Sequence, residues 1–300
     1  MCISLIKNHL RSKKSTKKIS ATILALVMLS SCAATTEVAE NHNKSAEPKI
    51  SVQLWSVKDD VKNDFKNTLT KLSAMGFEGV EFAREFGPYA NDPAGLKQFL
   101  TSLNLSASGA HVPFELLDDT HFAQTVLFYK TLDVQLLIVP YDTRAFNADG
   151  IDWVVKELNR LSEKLAPYGM KIGYHNHNHE FDSFANSTYW DYLAQNTKQN
   201  VVLQQDVGWT TFAGKDPAAY VRKYPGRTLT THFKVRLPEG TVGKLPIIGQ
   251  DTINWPELIQ ANKDVGGTQW FVVEQEEYPN GLTPLEAVAQ SKAGLDSFLN

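Results

Sequence analysis

One pattern constrains this chain more than any other. A short apolar or alternating run, a turn and an amphipathic stretch follow one another eight times, alike in kind but not in sequence. The predicted strands cover Ile50–Leu54, Gly79–Phe82, Ser106–His111, Val134–Pro140, Lys171–Tyr174, Val201–Asp206, Leu229–Val235 and Gln269–Glu274. The predicted helices lie at Asp64–Met75, Pro93–Leu103, His121–Leu132, Ile151–Tyr168, Ser187–Gln195, Asp216–Tyr224, Asn254–Lys263 and Thr283–Leu299. Phe65, Leu69 and Leu72 share one helical face, and Gly76 closes that helix. Asp92-Pro93 supplies a cap and a first turn, and Thr283-Pro284-Leu285-Glu286 has the form of a capping box. Strand-then-helix repetition builds parallel sheets. Eight units in about 250 residues predict one closed (β/α)8 TIM barrel. A doubly wound sheet is the alternative, but no Gly-rich phosphate loop follows the first strand.

The first 48 residues stand outside that pattern. Lys7, Arg11, Lys13, Lys14, Lys17 and Lys18 form a basic segment, and Ile19 to Leu29 is an apolar run too short to span a bilayer comfortably. Leu29-Ser30-Ser31-Cys32 follows and resembles the bacterial lipobox. That resemblance implies a signal peptide at 1–31, removed when Cys32 is lipidated. With Ala33 rather than Asp after the cysteine, it further implies a bacterial cell-envelope protein, anchored in the outer membrane and facing the periplasm. Residues 32–48 are small, polar and charged and read as a flexible tether, leaving 49–300 for the barrel. Cys2 is the only other cysteine, so a chain processed in this way has no disulfide and must rest on a large core.

Composition matters for one exclusion. The net charge is −3, but six of the 30 Lys and Arg fall in the first 31 residues, which hold no acidic group. The remainder carries 24 basic against 33 acidic groups, a net charge of −9. Such a surface disfavours nucleic acid as a partner.

In a barrel of this kind, chemistry gathers where strands end and βα loops begin. Those places hold Gln53, Glu81, His111, Tyr141 with Asp142, His175 with His177 and Glu180, Asp206, His232 and Glu274. The densest stretch is Tyr174-His175-Asn176-His177-Asn178-His179-Glu180-Phe181. In an extended chain its three histidines would share one face, while an emerging loop would break that alternation. Imidazole and carboxylate together are donors for Zn, Mn, Co or Fe.

Several segments, in order, carry a resemblance to a known family. They are Val52-Gln53-Leu54-Trp55-Ser56-Val57, Gly76-Phe77-Glu78-Gly79-Val80-Glu81-Phe82-Ala83, the histidine stretch, Asp206-Val207-Gly208-Trp209, His232-Phe233-Lys234, Gly249-Gln250-Asp251 with Ile253-Asn254-Trp255, and Val272-Val273-Glu274-Gln275. From Lys49 onward the chain resembles the sugar phosphate isomerase/epimerase superfamily, the xylose-isomerase-like TIM barrels. The resemblance implies one divalent metal, Mn²⁺, Co²⁺, Zn²⁺ or Mg²⁺, held by Asp206, His232 and Glu274 with His175 or Glu180 as the fourth ligand. Many epimerases carry a glutamate at the end of strand five; here that position is His175, with Glu180 five residues on. This form resembles a branch that looks like lyases and hydrolases of 3-keto glycosides, and it puts the two-glutamate epimerase mechanism in doubt.

The expected activity is proton abstraction next to a sugar carbonyl, ending in elimination or in isomerisation or epimerisation. Glu180, His177 or Glu274 are candidate bases, and His111 or His177 a candidate acid. Gln53, Glu81, Trp209, Lys234 and Arg236 are candidate contacts to a small carbohydrate. Two other readings compete: a non-catalytic sugar-binding envelope lipoprotein, and a metal-dependent endonuclease like the abasic-site enzymes, which the acidic chain disfavours.

Overall fold

The computed structural model describes residues 47–299. The signal peptide, Cys32 and the tether up to residue 46 lie outside the described residues. Eight parallel strands close into a barrel: β1 (Lys49–Gln53), β2 (Gly79–Phe82), β3 (Ser106–His111), β4 (Leu136–Val139), β5 (Lys171–His175), β6 (Val202–Asp206), β7 (Thr230–Phe233) and β8 (Trp270–Val273). Neighbours in sequence are neighbours in space, and β8 closes on β1 with Lys49 opposite Trp270. The closed ring rules out the doubly wound alternative.

The strands point alternate residues to opposite sides. Outward residues such as Phe233 and Phe271 meet the helical shell, where Phe233 stacks on the buried Trp255 at 5.3 Å. Inward, Leu136, Ile138 and Val202 form a separate apolar plug with Leu229 and Trp270. Above that plug the interior turns polar, and this second layer carries the site.

The caps settle where most helices begin. The side chains of Asp64, Asp92, Asp216 and Asn254 each accept a backbone N–H of the first turn. At Thr283 the hydroxyl accepts from Glu286 N–H while the Glu286 carboxylate accepts from Thr283 N–H, the reciprocal box expected there. Several elements are shorter than expected. The helix Ile151–Leu165 ends at a 3-10 turn containing Pro167, which cannot continue an α-helical ladder, and left-handed Gly169 follows. β4 starts at Leu136, because Val134 bonds back to the Tyr129 carbonyl and closes the preceding helix. Ser187 and Thr188 are extended rather than helical. They pair with Ser183–Phe184 in a small ribbon before Thr188 caps the helix Tyr189–Asn196. No helix of the described residues is long and apolar enough to cross a membrane.

Candidate metal centre

β5 to β8 each deliver one donor to the same spot. His175 ends β5, Asp206 ends β6, His232 lies in β7 and Glu274 follows β8. One ligand atom from each lies within 4.8 Å of the others, and all four residues are buried. Side-chain alternation explains the convergence: 202, 204 and 206 face inward on β6, as do 230 and 232 on β7.

A network beneath them sets their orientation. Glu81 on β2 is fully buried and accepts from Gln53 Nε2 at 2.7 Å, Gln204 Nε2 at 2.8 Å and His232 Nε2 at 2.6 Å. Gly109 makes room for it, since a Cβ there would lie 2.9 Å from Glu81 Oε2. Burial would raise the Glu81 pKa, but the charges of His232 and His111 and their hydrogen bonds outweigh it and hold the group well below the usual range. An ionised Glu81 accepts only, so the Gln204 amide must turn its NH₂ toward it. The Gln204 carbonyl then faces the histidines, 2.8 Å from His111 Nε2 and 3.1 Å from His175 Nδ1. A carbonyl cannot donate, so Nδ1 of His175 carries the proton. Its Nε2 is left as a lone-pair donor, 3.7 Å from Asp206 Oδ2. Burial holds the His175 imidazole well below its ordinary pKa, which keeps it neutral.

His232 spans two carboxylates, with Nε2 on Glu81 and Nδ1 on Glu274 Oε2 at 2.8 Å. Burial lowers its pKa, but Glu81 and Glu274 outweigh that and raise it to about 10, so with no cation bound both ring nitrogens donate, and Nδ1 would have to give up its proton to serve as a ligand. Glu274 behaves oppositely to Asp206. Burial would raise both, but Lys234 and the hydrogen-bonded His232 hold Glu274 well below its usual value. Asp206 is raised by burial despite Lys234, because no comparable hydrogen bond reaches its Oδ2.

That orphaned oxygen tests whether a metal fits. Asp206 Oδ2 is buried without a hydrogen-bond partner, while Oδ1 caps the next turn by accepting Trp209 N–H at 2.8 Å. A buried carboxylate oxygen without a donor is costly. Two histidines and two carboxylates around it form a donor set suited to a borderline divalent cation. Lys234 Nζ already reaches toward it, 3.5 Å from Asp206 Oδ2 and 3.6 Å from Glu274 Oε2, and it pairs with Glu276. Burial would lower the ammonium's pKa, but these carboxylates raise it above its ordinary value.

Above the cluster opens a cavity of about 330 Å³, lined by His111, His175, His177, Lys234, Glu274 and Glu276 and, nearer the mouth, by Trp55, Ala83, Arg84, Pro140 and Tyr141. Its lower wall is thus titratable and its rim aromatic and cationic.

The candidates separate by place. His111, His175, His177, Lys234 and Glu274 line the cavity, while Asp206 and His232 sit behind its wall. Glu180 is turned away from the four donors. Its Oε2 accepts His177 N–H at 2.8 Å and its Oε1 accepts the Tyr174 hydroxyl at 3.0 Å, which pins the loop after β5. Its carboxylate is not among the donors that converge on the cluster. Burial, only partly offset by these donors, raises its pKa to about 7. Gln53 and Glu81 do not reach the cavity; they brace the donors from below. Trp209 and Arg236 lie one layer out, the guanidinium 4.0 Å from the indole centroid. His177 still turns inward after the strand ends, and burial and Lys234 lower its pKa to about 4. His179 does not follow; it sits exposed beside Asp182. Gln204 is the functional residue that sequence reasoning missed. The one available signal was its place at alternate spacing, two residues before Asp206 on an inward face.

Residues 69–299 match the family model of the xylose isomerase-like TIM barrel. A curated relative, the inosose dehydratase of Lacticaseibacillus casei, is 23% identical, with 79% of this chain and 90% of that protein covered. Among solved structures, a sugar phosphate isomerase/epimerase from Parabacteroides distasonis superposes with a TM-score of 0.67 at 24% identity, covering 86% of this chain and 97% of that one. A protein called IOLI, solved with a binding zinc atom, superposes with a TM-score of 0.62 at 18% identity, covering 84% and 98%.

Proposed function

The chain belongs to the xylose isomerase-like TIM barrel family, and from that premise we propose that it is a divalent-metal-dependent carbohydrate enzyme that removes a proton next to a carbonyl and expels a β-oxygen. The observation that carries this reading is the convergence of His175, Asp206, His232 and Glu274 around the unpartnered Asp206 Oδ2. Elimination is favoured over epimerisation for two reasons. Glu180 is withdrawn into a loop brace, so the second carboxylate base of a two-glutamate epimerase is missing. A relative bears the name of a dehydratase. Loss of water and loss of a sugar alkoxide from a 3-keto glycoside are the same elimination with different leaving groups.

The four donors would hold the cation, which supplies Lewis acidity toward adjacent sugar oxygens when bound. His177 is neutral at working pH and lines the cavity, so its imidazole can accept the carbon-bound proton. Returning that proton to the departing oxygen completes the elimination without a net change in protons. Lys234 presents a fixed ammonium to the negative charge that develops on the substrate oxygen. His111 stands on the same wall with Nε2 held by Gln204 and orients the sugar. The basic leader and the Leu29-Ser30-Ser31-Cys32 run support anchoring of this enzyme through Cys32 in the cell envelope.

The test is elemental analysis of the purified chain, followed by incubation with an inosose and with a 3-keto glucoside. One equivalent of divalent metal is expected, lost in Asp206→Asn and His232→Ala while circular dichroism stays unchanged. Absence of metal after reconstitution refutes the enzyme reading and leaves a sugar-binding protein ahead; about three equivalents would favour a nuclease-type centre.

A further inference from the structure

Charge is balanced at the bottom of the cavity but not at its mouth. Lys234 is the deep cation, and Asp206, Glu274 and Glu276 surround it. Arg84 is the other cation on the wall, and among the described residues no carboxylate pairs with it. Its backbone is also unusual, with φ at +72°. Arginine gains nothing from that left-handed conformation, which glycine and asparagine tolerate far better. Such strain persists only where the surroundings over-determine it, and it concentrates at ligand clamps. Here they do. Phe82 and Phe86, two residues to either side, pack together at 5.3 Å, and Phe86 packs on Phe128 at 4.7 Å. The turn is clamped in the core on both sides, and the strained residue between is an exposed cation on the cavity wall.

We propose that Arg84 is the specificity-determining residue of this cavity, and that the substrate is a sugar bearing an anionic group, a carboxylate or a phosphate, held by the Arg84 guanidinium. This rests on the sugar-enzyme reading of the same site. A guanidinium offers a planar fork that matches carboxylate and phosphate oxygens. The mouth position places the anion away from the titratable floor, so the anion is a handle rather than the reacting group. Trp55 and Tyr141, exposed on the same wall, leave their rings beside the sugar that joins the two.

The test is calorimetric titration of the full chain, metal-loaded and chelator-stripped, with D-glucuronate, D-glucose 6-phosphate and D-glucose. At least one anionic probe should bind about tenfold more tightly than glucose, and which one does so distinguishes carboxylate from phosphate. Arg84→Ala should bring that probe down to the glucose level, and Arg84→Lys should keep part of the preference. Arg84→Gly should lose the preference while raising the melting temperature, because glycine accepts the positive φ; that separates lost binding from lost folding. Equal affinities for all three probes, or a parallel loss for glucose in Arg84→Ala, would overturn the proposal. If the chain binds no metal yet the anion preference follows Arg84, the assignment of Arg84 stands and the enzyme reading falls. If metal binds and no preference appears, the reverse holds.

Discussion

Replacing Glu180 by Gln should change how stability depends on pH. The carboxyl is fully buried, with a pKa raised from 4.5 to about 7 by burial. A group whose folded pKa lies above its unfolded value binds more protons in the folded state. Its contribution is therefore full below pH 4.5 and is lost as pH rises through about 7. The raised pKa corresponds to about 3 kcal/mol. Glutamine fits the same contacts without the charge. Its carbonyl can accept His177 N–H, and its NH₂ can donate to the Tyr174 oxygen, whose own proton has the Asp142 carbonyl 3.3 Å away. Chemical denaturation of both proteins at pH 4.5, 6, 7 and 8 isolates the effect, since every other titrating group is common to both. The stability difference should move toward the glutamine variant by about 3 kcal/mol between the two ends of the range. A constant difference would mean that the two donors fully support the charge, and burial would not be the dominant influence on Glu180.

Three further outcomes are expected. Gln204→Leu removes the acceptor of His175 Nδ1–H and a donor to Glu81, and should weaken metal affinity by about 10- to 100-fold in chelator competition; unchanged affinity would refute its orienting role. Gly173→Ala would place a Cβ 2.6 Å from Ile138 Cδ1 and 2.7 Å from the Val202 carbonyl, where neighbouring strand backbone cannot yield. It should cost about 1–3 kcal/mol in denaturant unfolding, and a loss under 0.5 kcal/mol would show that the plug is looser than drawn. Cys32→Ser should abolish incorporation of labelled palmitate and release the protein from the membrane fraction; continued labelling would sink the anchoring proposal.

The eight strand-helix units, and the strand-end places of four of the five residues proposed as metal ligands, were legible in the sequence for one reason. Strand and helix periodicity is local, and in a barrel the functional side chains sit at positions that periodicity defines, the ends of the strands. Asp206, His232 and Glu274 occupy such ends, and so does His175. The family resemblance implied which of them would act together.

What the sequence determined by itself, then, was the alternation, the closure it predicts, and the donors that sit at strand ends. The tertiary structure decided what each polar side chain meets. Glu180 looked like a base or a ligand until the loop path brought Tyr174 and His177 N–H to its two oxygens. Gln53 and Glu81 looked like substrate contacts until the ring placed them under the donors rather than on the cavity wall. Gln204 carried only the signal of its alternate spacing before Asp206, and Arg84 none as a loop arginine. The physical reason is that barrel closure joins residues far apart in the chain. His232 and Glu81 are 151 positions apart and share a 2.6 Å contact, and the state of each buried charge follows from that partner rather than from its neighbours in sequence.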